Sequence, residues 1–193
     1  MDGEKRKIMR ILSIDSSLND IGYSVMESNL DECPEQLLLS GTLRIKKTAP
    51  DIEKVRLIRN AIGTLFDMNS KIPGEEEMIR KVLIEKATSF TYGKHQKGGK
   101  QQNAKAMAQN HFATGVIAGS VLIYTGIDKP SEYMEFLSAQ DWKGMQAKIV
   151  TLRLVNYTYK LNLDEKKDHN EADAIGIGRW YIAQLKFQER MNK

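Results

Sequence analysis

The sequence predicts an α/β protein: a mixed five-stranded sheet, three antiparallel strands and then parallel ones, flanked by helices. Three observations lead there. Three strand-like runs follow one another near the N-terminal end with only short connections between them. Further apolar runs then alternate with longer segments in which apolar residues recur at helical spacing. The 193 residues can bury one substantial core but not two large ones, so a single domain over 1–193 is expected.

Residues 1–7 are a charged start expected to fray. Residues 8–15 and 20–28 read as two strands joined by a tight turn containing Ser16, Ser17 and Asn19. A loop with Asp31 and Pro34 leads to a third strand over 37–47, carrying Leu39, Leu43 and Ile45. Pro50 and Asp51 open a helix over 51–69, where Ile52, Val55, Ile58, Ile62, Leu65 and Phe66 keep helical spacing. Met78 to Glu85 reads as a fourth strand with a Val82-Leu83-Ile84 core. Residues 88–105 hold four lysines, a histidine and three glycines with almost no aliphatic side chain, and read as a mobile basic loop. A helix over 104–124 follows, rich in alanine and glycine that permit close packing. A short fifth strand over 133–138, a turn at Asp141-Trp142-Lys143-Gly144, and helices over 145–160 and 169–190 complete the chain.

The net charge is +4 and the pI about 9.0, which suits a polyanionic partner but also an ordinary mildly basic protein. Cys33 is the only cysteine, so no intrachain disulfide or cysteine zinc site can form. No stretch has the length of a membrane span, and Arg10 and Asp15 break the only run resembling a signal peptide. No membrane association and a cytoplasmic or otherwise intracellular location are expected, whether at a nucleoid or in a host cytoplasm.

Three acids stand in settings suited to chemistry. Asp15 ends the first apolar strand, Glu85 ends the fourth, and Asp173 lies in the first turns of the last helix. A strand end holds a carboxylate rigidly, as binding a hard metal ion demands. Singly, each acid has an ordinary explanation. Asp15 would cap a turn, Glu85 would pair with a lysine such as Lys86, and Asp173 would be a solvated residue favoured by the helix dipole. Jointly, and in this order, metal binding is the better reading.

The same residues carry a resemblance. Ile14-Asp15-Ser16-Ser17-Leu18 with Gly22-Tyr23-Ser24-Val25 resembles the first motif of RuvC-type Holliday-junction resolvases, of the ribonuclease-H-like superfamily. Val82-Leu83-Ile84-Glu85 is similar to the second motif, and His169-Asn170-Glu171-Ala172-Asp173-Ala174-Ile175 to the last. The resemblance implies a ribonuclease-H-like fold and a Mg²⁺-dependent endodeoxyribonuclease in which Asp15, Glu85 and Asp173 hold two metal ions, Mn²⁺ substituting. It further implies paired symmetric nicks in four-way junctions, 5′-phosphate and 3′-hydroxyl ends, and a homodimer.

One position departs from the pattern. The family usually places an acid or histidine one turn before the final aspartate, where this chain has Asn170. At about 100° per residue, Asn170 and His169 fall near the face of Asp173, while Glu171 points nearly opposite and is expected to be solvated. Asn170 could offer a neutral oxygen to metal. His169 could ligate metal or handle a proton, or be a plain helix-start residue.

Lys143 and Lys148 are similar to the basic residues the family sets near the scissile phosphate, with at least one of the two expected there; Lys148 could otherwise be a surface lysine. Trp142 is expected to be a core or hinge residue. In the basic loop, Lys94, Lys97, Lys100 and Lys105 could track phosphates, while Phe90 and Tyr92 could stack on bases or, for Phe90, pack in the core. Three rival readings remain. They are an actin-like kinase or ATPase, which needs more chain; a junction-binding protein with a weakened site; and a nuclease acting more broadly on flaps and forks.

Overall fold

The computed structural model describes residues 8–29, 34–72, 78–86 and 104–192. They form a five-stranded sheet with strands β1 (Ile8–Asp15), β2 (Asp20–Asn29), β3 (Gln36–Arg44), β4 (Ile79–Glu85) and β5 (Met134–Leu137). The spatial order is β3-β2-β1-β4-β5. β1–β2 and β2–β3 pair antiparallel, whereas β1–β4 and β4–β5 pair parallel. The six helices among the described residues are α1 (Asp51–Asn69), α2 (Ala104–Thr125), α3 (Pro130–Tyr133), α4 (Ala139–Trp142), α5 (Lys148–Tyr159) and α6 (His169–Met191). None is long and apolar enough to cross a membrane.

β1 is the middle strand and is apolar on both faces, as a strand covered on both sides must be. Its even positions, Leu12 and Ile14, join Val82 and Ile84 of β4 and Val25 of β2 in a core capped by Ile58 and Ile62 of α1 and Ile117 and Val121 of α2. Its odd position Ile11 joins Leu83, Leu137 and Met26 beneath Val155 of α5 and Ile175, Ile177 and Ile182 of α6. The period of two in β1 and β4 therefore assigns each residue to a layer. Arg10, fully buried, ties the sheet to the first layer: its guanidinium pairs with Glu27 at 2.6 Å and donates to the Asn69 and Ile72 carbonyls at the end of α1.

Boundaries differ from expectation by more than one residue, or in kind, in three places. The third strand stops at Arg44, because Ile45 turns its amide to Asn19 and drops its side chain into the core. The fifth strand is preceded by the one-turn helix α3, started by Pro130. The turn at 141–144 is in part the one-turn helix α4, and the next helix begins at Lys148 rather than at 145. Gly144, at φ +60°, reverses the chain there, a conformation glycine adopts without strain.

Candidate active site

Asp15 and Glu85 are the last residues of two parallel neighbours and stand directly opposite in register. Adjacent strands lie about 4.8 Å apart, so the two acids leave the sheet side by side. Ser13 and Asp15 share the Ile11 face of β1, and Glu85 shares the Leu83 face of β4, so both carboxylates lie on the side covered by α6. This is the carboxyl end of the parallel strands, the usual place for a site in an α/β sheet. The backbone there is pinned: the Ser16 hydroxyl donates to the Glu85 carbonyl and shares a hydrogen bond with Thr114 of α2 at 2.7 Å. Ser17, not Asp15, closes the turn, through its hydroxyl to Asp20.

α6 brings the third acid. It lies close on the sheet because glycines clear its path: a Cβ on Gly22 would run into the Asn170 carbonyl, and one on Gly178 would come within 2.8 Å of Ser13 Oγ and Met26 Sδ. The Ser24 hydroxyl donates to the Ala174 carbonyl at 3.1 Å and bonds Ser13 at 2.8 Å. Asp173 is consequently buried and interacts electrostatically with both Asp15 and Glu85.

Three carboxylates gathered in a largely buried corner repel one another, and Asp15 and Glu85 show it. Burial pushes the Asp15 carboxyl well above the usual carboxylate range, and the charges of Glu85 and Asp173 push it further, against the pull of Lys148 and Lys143. Glu85 is also raised, chiefly by burial, while a hydrogen bond from Trp142 works the other way. The corner is short of positive charge.

Two residues from α4 and its end partly offset this, Trp142 by a hydrogen bond and Lys143 by its charge. Ser138 and Asp141 form a reciprocal capping box that holds α4. Trp142, expected in the core or at a hinge, is half-buried and packs against the Ile11 and Leu83 core layer, and it also donates its indole N–H to Glu85 Oε2 at 2.8 Å. Its ring lies against Gly176, where a Cβ would come within 2.7 Å of it. Lys143 Nζ donates to both oxygens of Asp173, at 2.8 and 3.0 Å. Lys148 Nζ stands 3.6 Å from the same carboxylate, with its side chain 60% exposed.

The start of α6 is more varied. His169 is half-buried, and burial followed by the nearby Lys148 charge lowers its pKa below 6.5, against the opposing pull of Asp173 and Asp20. Asn170 is buried and its amide donates to the Asp20 carbonyl, tying α6 to the start of β2. Glu171 is not solvated: it is half-buried against β3, accepts a hydrogen bond from Ser40 at 2.7 Å, and has its pKa raised by burial. Phe90, Tyr92, Lys94, Lys97 and Lys100 lie outside the described residues, as does the side chain of Lys105, whose backbone belongs to α2.

No family model and no curated protein matches the sequence. Solved structures do. RuvC of T. thermophilus in complex with Holliday junction substrate superposes with a TM-score of 0.64 at 16% identity, over 95% of this chain and 96% of that one. The fold is that of the RuvC-type resolvases. A second T. thermophilus RuvC structure gives a TM-score of 0.57 at 18% identity, covering 95% and 97%. The Fowlpox virus resolvase in complex with Holliday junction DNA gives 0.52 at 13%, covering 92% and 99%. The RuvC-type, ribonuclease-H-like topology expected from the sequence, three antiparallel strands and then parallel ones, is therefore present.

On this RuvC-type sheet the three acids offer hard oxygen donors, the chemistry that suits a divalent cation such as Mg²⁺. They outnumber the two nearby lysines, and two of them carry raised pKa values that added positive charge would lower. The donor set fits. As the side chains stand, however, no three or more His, Cys, Asp or Glu among the described residues form a group that could hold an ion. Trp142 and Lys143 occupy Glu85 and Asp173 instead.

Proposed function

We propose that the protein is a divalent-metal-dependent endonuclease that resolves four-way DNA junctions. One observation carries the reading: Asp15 and Glu85 sit in register on neighbouring parallel strands, with buried Asp173 interacting with both, on a RuvC-type fold. The RuvC and Fowlpox resolvase neighbours hold Holliday junction DNA in their structures, and by that likeness branched DNA is the substrate proposed here.

Asp15, Glu85 and Asp173 would hold Mg²⁺ or Mn²⁺, with Asn170 as a neutral oxygen donor. When bound, the metal would lower the pKa of an attacking water and neutralise charge on the leaving 3′ oxygen. The chain's own residues divide the remaining work. His169, whose neutral form burial and then the Lys148 charge favour, can accept a proton from that water. Lys148, exposed beside Asp173, can reach the scissile phosphate and offset its growing charge. Lys94, Lys97, Lys100 and Lys105 would bind the junction arms, with Phe90 and Tyr92 stacking on or wedging apart bases. Opposed nicks call for two sites, hence a two-fold homodimer.

The test is a labelled synthetic four-way junction, with linear and forked controls, incubated with and without Mg²⁺. Symmetric nicks leaving 5′-phosphate ends are expected, and they vanish in Asp15→Asn, Glu85→Gln and Asp173→Asn while junction binding persists. Full cleavage by any of these variants overturns the site. A second reading, junction binding by a weakened enzyme, draws on the capture of Asp173 by Lys143 and of Asn170 by Asp20. It would show as tight junction binding without nicking in Mg²⁺ or Mn²⁺. Equal cleavage of forks and flaps would instead mark a broader debranching nuclease.

A further inference from the structure

Lys143 and Lys148 both face Asp173, yet they do so differently. The Lys148 side chain is 60% exposed and its ammonium stands off at 3.6 Å. The Lys143 side chain is 8% exposed, against a carboxylate only 3% exposed, and binds both oxygens at 2.8 and 3.0 Å. A screened surface pair is worth little, but a buried one is a commitment, because neither charge can be left alone there. The ammonium covers the edge of the carboxylate from which both oxygens would bind an ion. A hard divalent ion needs oxygens at about 2.0–2.1 Å. It cannot use that edge while Lys143 does.

The segment carrying Lys143 is also built as a unit. The capping box at Ser138 and Asp141 fixes its start, and the Lys143 amide bonds the Ala139 carbonyl at 2.9 Å. Trp142 seats its ring on α6 at Gly176 and holds Glu85 through the indole N–H. Consecutive residues thus hold two of the three acids. The Lys143 ammonium also lies 5.0 Å from the centre of the Trp142 ring, near enough for cation–π attraction. A lysine released from Asp173 would therefore have an apolar-faced resting place one residue away.

We propose that Lys143 is the resident counter-ion of the metal site, a tethered ammonium that divalent metal displaces from Asp173, so that this residue sets the site's metal affinity. The inference rests on the reading of Asp15, Glu85 and Asp173 as metal ligands. It separates the two lysines that the sequence pairs: Lys148 serves the phosphate, and Lys143 competes with the metal. It also accounts for three acids that form no ion-holding group as they stand. Two cations competing for one carboxylate are negatively coupled, by the usual 5- to 150-fold or so between linked sites.

The test is Mn²⁺ and Mg²⁺ binding to the full chain without DNA, by calorimetry and, for Mn²⁺, by electron paramagnetic resonance. Lys143→Met keeps the stem and removes the charge. It should tighten divalent binding about 5-fold or more, and saturating Mg²⁺ should raise its melting temperature by more than it raises that of the wild type. Lys143→Arg, with a fork that grips a carboxylate more firmly, should weaken metal binding. Lys148→Met should change affinity much less than Lys143→Met. Thermal melts establish that each variant is folded, and the opposed signs of the methionine and arginine variants guard against general damage to the site. Saturable binding that Lys143→Met leaves unchanged or weakens overturns the displacement while leaving the metal site standing. No saturable binding in either the wild type or Lys143→Met overturns the metal-site reading and the displacement with it.

Discussion

Gly176→Ala is the substitution that most directly probes how the acids are held. In the middle of α6, alanine would ordinarily gain about 0.5–1 kcal/mol over glycine. Here the added Cβ would stand 2.7 Å from Trp142 Cζ3 and 3.1 Å from Thr151 Cγ2. Reaching ordinary contact at 3.4 Å requires the indole to retreat by about 0.7 Å. A retreat of that size along the Nε1–Oε2 line stretches the 2.8 Å bond to Glu85 to about 3.5 Å, outside hydrogen-bonding range. Overpacking of this kind costs about 1–3 kcal/mol. Set against the helix gain, the net loss is at most about 2.5 kcal/mol, or a fall of up to about 10 °C in melting temperature. Nicking should drop about tenfold or more, since a bond to a charged group is worth about 1.5–3 kcal/mol, while junction binding is retained. The assay is a double-mutant cycle with Trp142→Ala, read by thermal melt and single-turnover nicking. With the indole gone, Gly176→Ala should cost little or even stabilise. An equal effect in both backgrounds would refute the reasoning, because the glycine would then not act through the tryptophan.

Asp15→Asn should raise the melting temperature of metal-free protein at pH 7. The folded pKa of Asp15 lies above its ordinary value of 3.8, so the charged form is disfavoured in the fold. That penalty is absent below about pH 4, grows as pH rises toward the folded value and levels off above it, so the variant's advantage should shrink on acidification; melts across pH 4–8 that show a constant difference would count against it. Gly115→Ala on α2 meets nothing within 4 Å among the described residues and should gain about 0.5–1 kcal/mol by thermal melt; a loss would mean that this face is covered in solution. Replacing Lys97 and Lys100 together with alanine should reduce the slope of log affinity for a junction against log salt by about 1.8, measured by fluorescence anisotropy. An unchanged slope would remove those two lysines from the interface.

The strands and two of the acids were legible because period-two patterning states both where a strand ends and which face each residue takes. Asp15 and Glu85 stand at the ends of runs buried on both faces, and the parallel register then makes them neighbours. Glu171 was misplaced by the same kind of reasoning. A helical wheel sets it opposite Asp173, which would mean solvent for a helix covered on one side. α6 lies across a twisted sheet and meets β3 on that side too, so Ser40 reaches Glu171. The packing of Trp142 against the core was legible, but its bond to Glu85 was not, because the partner is 57 residues away and no local pattern announces it. Gly22, Gly176 and Gly178 carried a signal in principle, since a glycine inside a strand or helix asks what approaches it. What approached could be known only once α6 was laid on β2 and α4 on α6. The late start of α5 was equally hidden: Ala147 gives no side-chain cap, and Lys148 in the first turn opposes the helix dipole.

β1 lies between two strands on either side, whereas α4 is a four-residue helix with no buried residue. Amides in such different settings open to solvent at very different free energies. Hydrogen exchange should therefore be slowest through Leu12 to Ile14 and fast through Ala139 to Lys143. On that expectation Asp15 and Glu85, at the ends of inner strands, would belong to a late-opening part of the molecule, and Trp142 and Lys143 to a part that opens early. A mild rise in temperature or denaturant would then free Glu85 and Asp173 from their partners while leaving Asp15 and Glu85 in register, so the site's selectivity for ions would fade well before its geometry does.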